Sequence, residues 1–196
     1  MPVKIDLGCG YKKVPGSIGV DMVQAPAVDV VAHFGHGLPF KDNSADAIYA
    51  YHLLEHLDDF LGFMDEIWRV CRPDARVYIK VPHATSPYDT WKDPTHRRGI
   101  FIATFTYFDD TYFDGVAFAY YAKARFRIEK ARLNYSIKNP SSYFLPIRIL
   151  NQLAHVIANR DRNAQYLCER FWGHLVGFEE ACLILRAIKE APAASK

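Results

Sequence analysis

The chain has 196 residues, is half hydrophobic and carries 23% charged residues, which excludes a disordered polymer and allows one packed domain over 1–196. No apolar run approaches the roughly 18 residues of a membrane span, and MPVKIDLGCG enters a strand-like run with no signal-peptide pattern, so a cytoplasmic protein without a span is expected. The four cysteines (Cys9, Cys71, Cys168, Cys182) form no C-x-x-C pair, which argues for free thiols and against a zinc or disulfide scaffold. The net charge of +2 is divided unevenly. Residues 1–120 sum to −5 and residues 121–160 to +7, a basic stretch that is either a solvated face or a rim for an anionic ligand or a membrane surface.

Short β runs alternate with helical patterns through the first half. Val3–Leu7, Ser17–Met22, Val28–Phe34 and Ala45–Tyr51 read as strands. Asp58–Cys71 reads as a helix. Phe60, Phe63, Met64, Ile67 and Cys71 recur at spacings of three and four, Asp58 or Asp59 can cap its start, and Pro73 stops it. Ala75–Val81 is a fifth strand. Strands joined by crossovers predict an α/β fold with a mostly parallel, Rossmann-like sheet. Nine aromatics crowd residues 101–121. Most belong to a core, while Tyr107, Tyr112, Tyr120 and Tyr121 could stack on sugar rings. Phe126–Tyr135 alternates as a strand. NPSSYFLP (139–146) reads as a hinge into a helical insertion, followed by a helix at 147–160 with Ile147, Leu150, Ala154 and Ile157 on one stripe. That helix could serve as a lid, a homodimer face or a membrane-lying helix, although its polar face is too poor in charge for the last role. Ala181–Ile188 closes the sheet.

The chemistry concentrates at the strand ends. After Asp6-Leu7 the chain turns at Gly8-Cys9-Gly10, where missing Cβ atoms let a ligand approach the backbone. Asp21, at the end of the next strand, is placed to accept hydrogen bonds from a ribose diol. The dinucleotide fingerprint is broken by Lys13, and no P-loop is present. An acid immediately before the glycines suits a cationic ligand better than a pyrophosphate. Of the histidines, His83 (VPH) and His96 (DPTHRR) follow the fifth strand and are candidate general bases. His52 and His56 stand four apart, but Leu53 occupies the position where H-E-x-x-H needs glutamate. The pair is therefore read as cofactor lining and helix cap, with no metal assigned.

The ordered set IDLGCG, IGVD, LPFKDNSADAIYAYHLLEHL and EIWRVCRPDARVYIKVP closely resembles class I S-adenosylmethionine-dependent methyltransferases, in particular a compact branch associated with bacterial surface polysaccharides. The resemblance is strong over 3–83 and weaker over 84–196. It implies S-adenosylmethionine as cofactor and a closing antiparallel strand. Gly8, Cys9 and Gly10, following Leu7, would meet the methionine part, Asp6 its amino end and Asp21 the ribose. Met22 would flank the adenine, with Phe34 or nearby backbone completing that site, and Tyr51 and His52 would lie near the methyl group. Two departures stand out. Asp21 follows Gly10 by only eleven positions, so YKKVPGS replaces most of the first helix, and HFGHG lacks the acid that commonly meets adenine. The expected activity is methyl transfer, favouring oxygen of a small-molecule or saccharide acceptor, anionic if Arg97, Arg98 and the basic stretch serve it. No nucleic-acid substrate is expected. The rivals are a non-catalytic cofactor-binding domain and a metal-dependent hydrolase using His52, His56, His83 and His96.

Overall fold

A computed structural model describes residues 1–112, 121–135 and 144–189. Phe113, Phe118, Tyr120 and the hinge positions 139–143 lie outside them. Seven strands form one sheet in the order β3-β2-β1-β4-β5-β7-β6. They are β1 (Lys4–Leu7), β2 (Ile18–Asp21), β3 (Val30–Val31), β4 (Ala45–Tyr51), β5 (Cys71–Pro82), β6 (Phe126–Asn134) and β7 (Glu180–Ala187). β1 to β5 pair in parallel, and β7 runs antiparallel between β5 and β6. This is the mostly parallel sheet with an antiparallel closing strand that the sequence implies.

Register sorts the side chains into two faces. Ile5 lies opposite Ile48, which pairs with Val77, and Leu7 lies opposite Ala50, which pairs with Ile79. This buried row is joined in one apolar cluster by helix α1 (Phe60–Val70), through Phe60, Phe63, Met64, Ile67 and Val70. Burying such side chains is worth about 1.5–3 kcal/mol each. An eleven-residue helix is therefore held by its stripe rather than by propensity. Asp59 is the cap, its Oδ1 accepting the Gly62 N–H at 2.9 Å. The opposite row, Tyr49, Tyr51, Tyr78 and Lys80, is half-buried, and the Tyr49 ring stacks on Tyr78 at 4.9 Å.

Several expectations need adjustment. The third strand shrinks to Val30–Val31 because the Asp29 carboxylate turns aside to accept the Gly19 N–H at 2.7 Å and to pair with Lys13. The chain then makes a 3-10 turn at Phe34–His36. The fifth strand starts earlier, at Cys71, with an irregularity around Asp74, whose φ is +62°. Beyond it lie α2 (Pro87–Trp91) and a 3-10 turn at Ile102–Tyr107. Between β6 and β7 come α3 (Leu145–Ala158), α4 (Arg162–Leu167), a π-helical turn (Cys168–Trp172) and α5 (Gly173–Val176). The α3 stripe is not a core stripe, since Ile147, Leu150 and Ile157 are exposed. The helix is fastened by polar bonds instead: His155 Nδ1 and Asn159 Nδ2 both donate to the Leu133 carbonyl, at 3.0 and 2.7 Å. Tyr112 is buried and donates its hydroxyl to Gln165 at 3.0 Å, so it is a core residue and not a sugar platform. Tyr107 is half-buried and Tyr121 exposed. Among the described residues no helix is long and apolar enough to cross a membrane.

Candidate functional site

The glycine turn leaves β1 with Gly8 at φ +71° and Gly10 at φ +52°, a region that penalises any Cβ. The Gly8 N–H donates to the Val20 carbonyl at 2.8 Å, which fixes the turn against β2. A Cβ on Gly8 would sit 3.2 Å from Leu53, whereas one on Gly10 would meet nothing within 4 Å. Gly10 therefore edges open space. Asp21 stands beside it, Oδ2 accepting the Gly10 N–H at 2.9 Å and Oδ1 the Val23 N–H at 3.2 Å. Asp6 is buried under the turn and accepts the Val14 N–H at 2.7 Å. Burial pushes its pKa up against that bond. A cationic ligand group beside Asp6 would relieve the desolvation.

Leu7 is fully buried and Cys9 nearly so, and burial together with the Asp6 and Asp21 carboxylates raises the Cys9 thiol. The Met22 side chain is half exposed at the rim. Phe34 is elsewhere than expected. Its ring is buried in the core, edge-on to Phe63 at 5.4 Å, so only backbone near it could meet an adenine. Tyr51 lies on the half-buried face of the sheet under Lys80, whose ammonium stands 5.0 Å from the ring centre.

His52 begins a second cleft. With φ +53°, it leaves β4 while its N–H still donates to the Lys80 carbonyl at 2.8 Å. Its Nε2 lies 3.1 Å from Glu180, at the start of β7, and its Nδ1 lies 3.6 Å from Glu55. The Glu180 carboxylate, with Glu55 behind the ring, pushes the imidazole up to about 9. Here the strand ends of β4 and β5 surround a cavity of about 420 Å³, lined among others by His52, Glu55, His56, Asp89, Lys92, Asp93, His96, Glu179 and Glu180. The DPTHRR loop is fastened over the LEHL turn. The Arg97 N–H donates to the Glu55 carbonyl at 2.8 Å, and Arg98 Nη2 donates to the carbonyls of Leu57 and Asp58, both at 2.8 Å. The Arg97 guanidinium pairs with Asp58 at 3.1 Å. Both arginines thus serve the loop. In the basic stretch Arg125 binds the carbonyls of Ala122 and Ala124, and Arg127 pairs with Asp109.

His96 lines the cavity, but His83 does not. His83 is fully buried beyond β5, where its Nε2 donates to Glu169 at 2.8 Å and its Nδ1 accepts from the Thr85 hydroxyl at 2.8 Å. Glu169 also takes the N–H groups of Ile102 and Ala103, at 2.6 and 3.2 Å. The pair locks the insertion onto the sheet, and the four-histidine hydrolase constellation is not assembled. Glu55 escaped the sequence reading. Its signal was a lone acid between apolar residues and a histidine in LLEHL, which looks like ordinary helix patterning.

Residues 5–79 match a family model described as a methyltransferase domain. The chain has the class I methyltransferase fold. It superposes on a SAM-dependent methyltransferase from Archaeoglobus fulgidus with a TM-score of 0.52 and 18% identity, covering 94% of this chain and 86% of that one. The YcgJ protein of Bacillus subtilis gives 0.54 and 16%, covering 97% and 93%. A structure from Listeria monocytogenes titled as an S-adenosylmethionine-dependent methyltransferase gives 0.52 and 12%, covering 96% and 90%. Among curated proteins none matches the chain. The domain implies S-adenosylmethionine as cofactor, and the residues fit it: an open-edged glycine turn, a buried acid for an ammonium and Asp21 beside the turn.

Proposed function

We propose that this chain is an S-adenosylmethionine-dependent methyltransferase that methylates an oxygen of a small-molecule or saccharide acceptor seated in the 420 Å³ cavity. One observation carries the reading: that cavity begins at His52, next in the chain to Leu53, and Leu53 packs against the glycine turn. Acceptor and cofactor pockets therefore share a wall. The bound cofactor supplies a methyl group already activated on a sulfonium, so the protein mainly supplies position. Asp6 holds the ammonium end, Asp21 the ribose diol, and the Gly8–Gly10 backbone the methionine part. His96 supplies the base. Its Nδ1 lies 2.5 Å from the Thr90 carbonyl, which can only accept, so Nδ1 carries the proton and Nε2 a lone pair. In that transfer His96 Nε2 would take the proton that the acceptor hydroxyl gives up.

The test is S-adenosylhomocysteine release across a panel of sugars, polyols, phenols and amines. Hydroxyl-dependent release is expected. Release driven by amines alone would overturn the oxygen assignment, and no binding of S-adenosylhomocysteine to the folded protein would overturn the cofactor site.

A further inference from the structure

Glu55 poses a problem that methyl transfer does not solve. Its side chain is 1% exposed, yet neither carboxylate oxygen has a hydrogen-bond partner among the described residues. The neighbouring nitrogens, His52 Nδ1 and His96 Nε2, stand off at 3.6 and 4.0 Å. The His52 imidazolium at 3.6 Å balances part of the charge, but a buried carboxylate that accepts no hydrogen bond is still costly. The DPTHRR loop is nonetheless bonded down over it, and His56 and His96 are brought to it with their rings 4.7 Å apart.

The hydrogen bonds around the two imidazoles decide what they offer. His96 Nδ1 gives its proton to Thr90, leaving Nε2 as a lone pair toward Glu55. His56 Nδ1 lies 2.9 Å from the Thr95 hydroxyl, whose own proton is committed to Asp93 at 2.6 Å. Thr95 must therefore accept from Nδ1, and His56 too is left with a lone pair on Nε2. One carboxylate and two imidazoles, each imidazole with a lone pair left over, thus cluster together. One ligating atom of each lies within 4.8 Å of those of the other two. Outer partners that hold each imidazole by its far nitrogen are the usual support of a metal-binding histidine.

We propose that Glu55, His56 and His96 bind one divalent transition-metal ion at the floor of the acceptor cavity. Two imidazoles and one carboxylate suit zinc or a neighbouring first-row ion and leave positions open toward the cavity. Ligand atoms around such an ion stand about 3–3.5 Å apart at metal–ligand distances of about 2.1 Å, so closure requires side-chain rotations of about 1 Å. The binding stands on this geometry alone, whereas its role rests on the methyl-transfer reading. An acceptor hydroxyl bound at an open position becomes more acidic, loses its proton to water and presents its oxygen to the methyl group. With the ion in place the His96 lone pair is on the metal, and the ion replaces the imidazole as activator.

The experiment is calorimetric titration of zinc into the chelator-stripped full chain, with Glu55→Gln, His56→Ala and His96→Ala alongside. His36→Ala is the control, because the stacked pair His33 and His36, 4.7 Å apart, is an unrelated cluster that could capture zinc. One zinc per chain is expected, weakened 100-fold or more in each of the three variants and unchanged in the control. Affinity for S-adenosylhomocysteine should stay within threefold throughout, which also reports folding. Absence of saturable one-to-one binding by the unmutated chain overturns the proposal even if a variant fails to fold. So does binding that Glu55→Gln and His96→Ala leave intact, or binding lost in His36→Ala. Stoichiometric zinc with no methyl transfer to any hydroxyl would leave the site standing and remove the reaction assigned to it.

Discussion

Asp21→Asn separates a ligand-binding role from a structural one. The carboxylate uses both oxygens, Oδ2 on the Gly10 N–H and Oδ1 on the Val23 N–H, so it both shapes the glycine turn and faces the proposed ribose. Asparagine keeps the shape and one carbonyl acceptor but loses the charge and turns an amide toward one of these partners. Hydrogen bonds to a charged group are worth about 1.5–3 kcal/mol each, so losing one ribose bond should weaken cofactor binding about 10- to 150-fold. The fold should lose only about 1 kcal/mol, since one of two loop bonds on a partly exposed side chain is affected. Calorimetry with S-adenosylhomocysteine reads the first quantity and urea unfolding the second. Asp29→Asn is the comparator. Asp29 anchors the same region through the Gly19 N–H and Lys13 without touching the glycine turn. Unchanged affinity in folded Asp21→Asn would remove Asp21 from the ribose site. An equal loss in Asp29→Asn would show that the effect was loosening of the loop.

Gly8→Ala should destabilise the chain by about 1–2 kcal/mol and abolish measurable cofactor binding, because φ +71° and Leu53 at 3.2 Å both oppose a Cβ; a thermal melt with and without S-adenosylhomocysteine checks both. His83→Ala strips Glu169 of a buried partner at a cost of about 3 kcal/mol, a fall of about 6–12 °C in Tm for a chain of this size, with turnover per folded molecule retained. A rate loss of 100-fold or more per folded molecule would return His83 to the catalytic role that VPH suggests. Asp46 accepts the Val3 N–H and pairs with Arg72, both at 2.6 Å, and these bonds hold its pKa below the usual carboxylate value. A depressed carboxylate stabilises the fold fully above its unfolded pKa and stops doing so as pH falls through the folded one. The deficit in urea midpoint of Asp46→Asn should therefore be constant above about pH 5 and disappear on acidification; a deficit that persisted unchanged to pH 2.5 would refute the assignment.

What could be read from the sequence follows from how locally each feature is encoded. β4 falls at Ala45–Tyr51 as predicted because alternation and the preceding turn both mark it. The glycine turn and Asp21 were visible because their spacing is short and their residue types leave few other uses. Val28–Phe34 was overread because valine content cannot show that Asp29 bonds back to Gly19. Within the helical insertion the separate helices at 162–176 were not delimited, because the π turn at Cys168–Trp172 interrupts the regular turn between them. His83 was misplaced for a similar reason. It follows a strand that should end at the cleft, but the chain bridges to Ile100 and turns the ring inward. Glu55 depends on contacts from a loop some forty residues later, which no local pattern encodes.

The charge in the site runs opposite to the charge of the chain. The +7 of residues 121–160 allowed a cationic rim, but the cleft collects carboxylates: Asp6 and Asp21 at the glycine turn, and Glu55, Asp89, Asp93, Glu179 and Glu180 around the second cavity. Of the cations expected to receive an anion, Arg97 is engaged with Asp58 and Arg98 with two carbonyls, and Lys92 at the cavity pairs with Asp89. A cofactor bearing a sulfonium and an ammonium gains from such a field, and a methyl donor that becomes neutral at sulfur on reaction loses part of that attraction, which favours product release over rebinding. An anionic acceptor would gain nothing from it. On the proposed reading this field favours a neutral polyhydroxyl acceptor, whose oxygen would be brought to the methyl group by geometry and by whatever sits on Glu55 rather than by attraction to arginine.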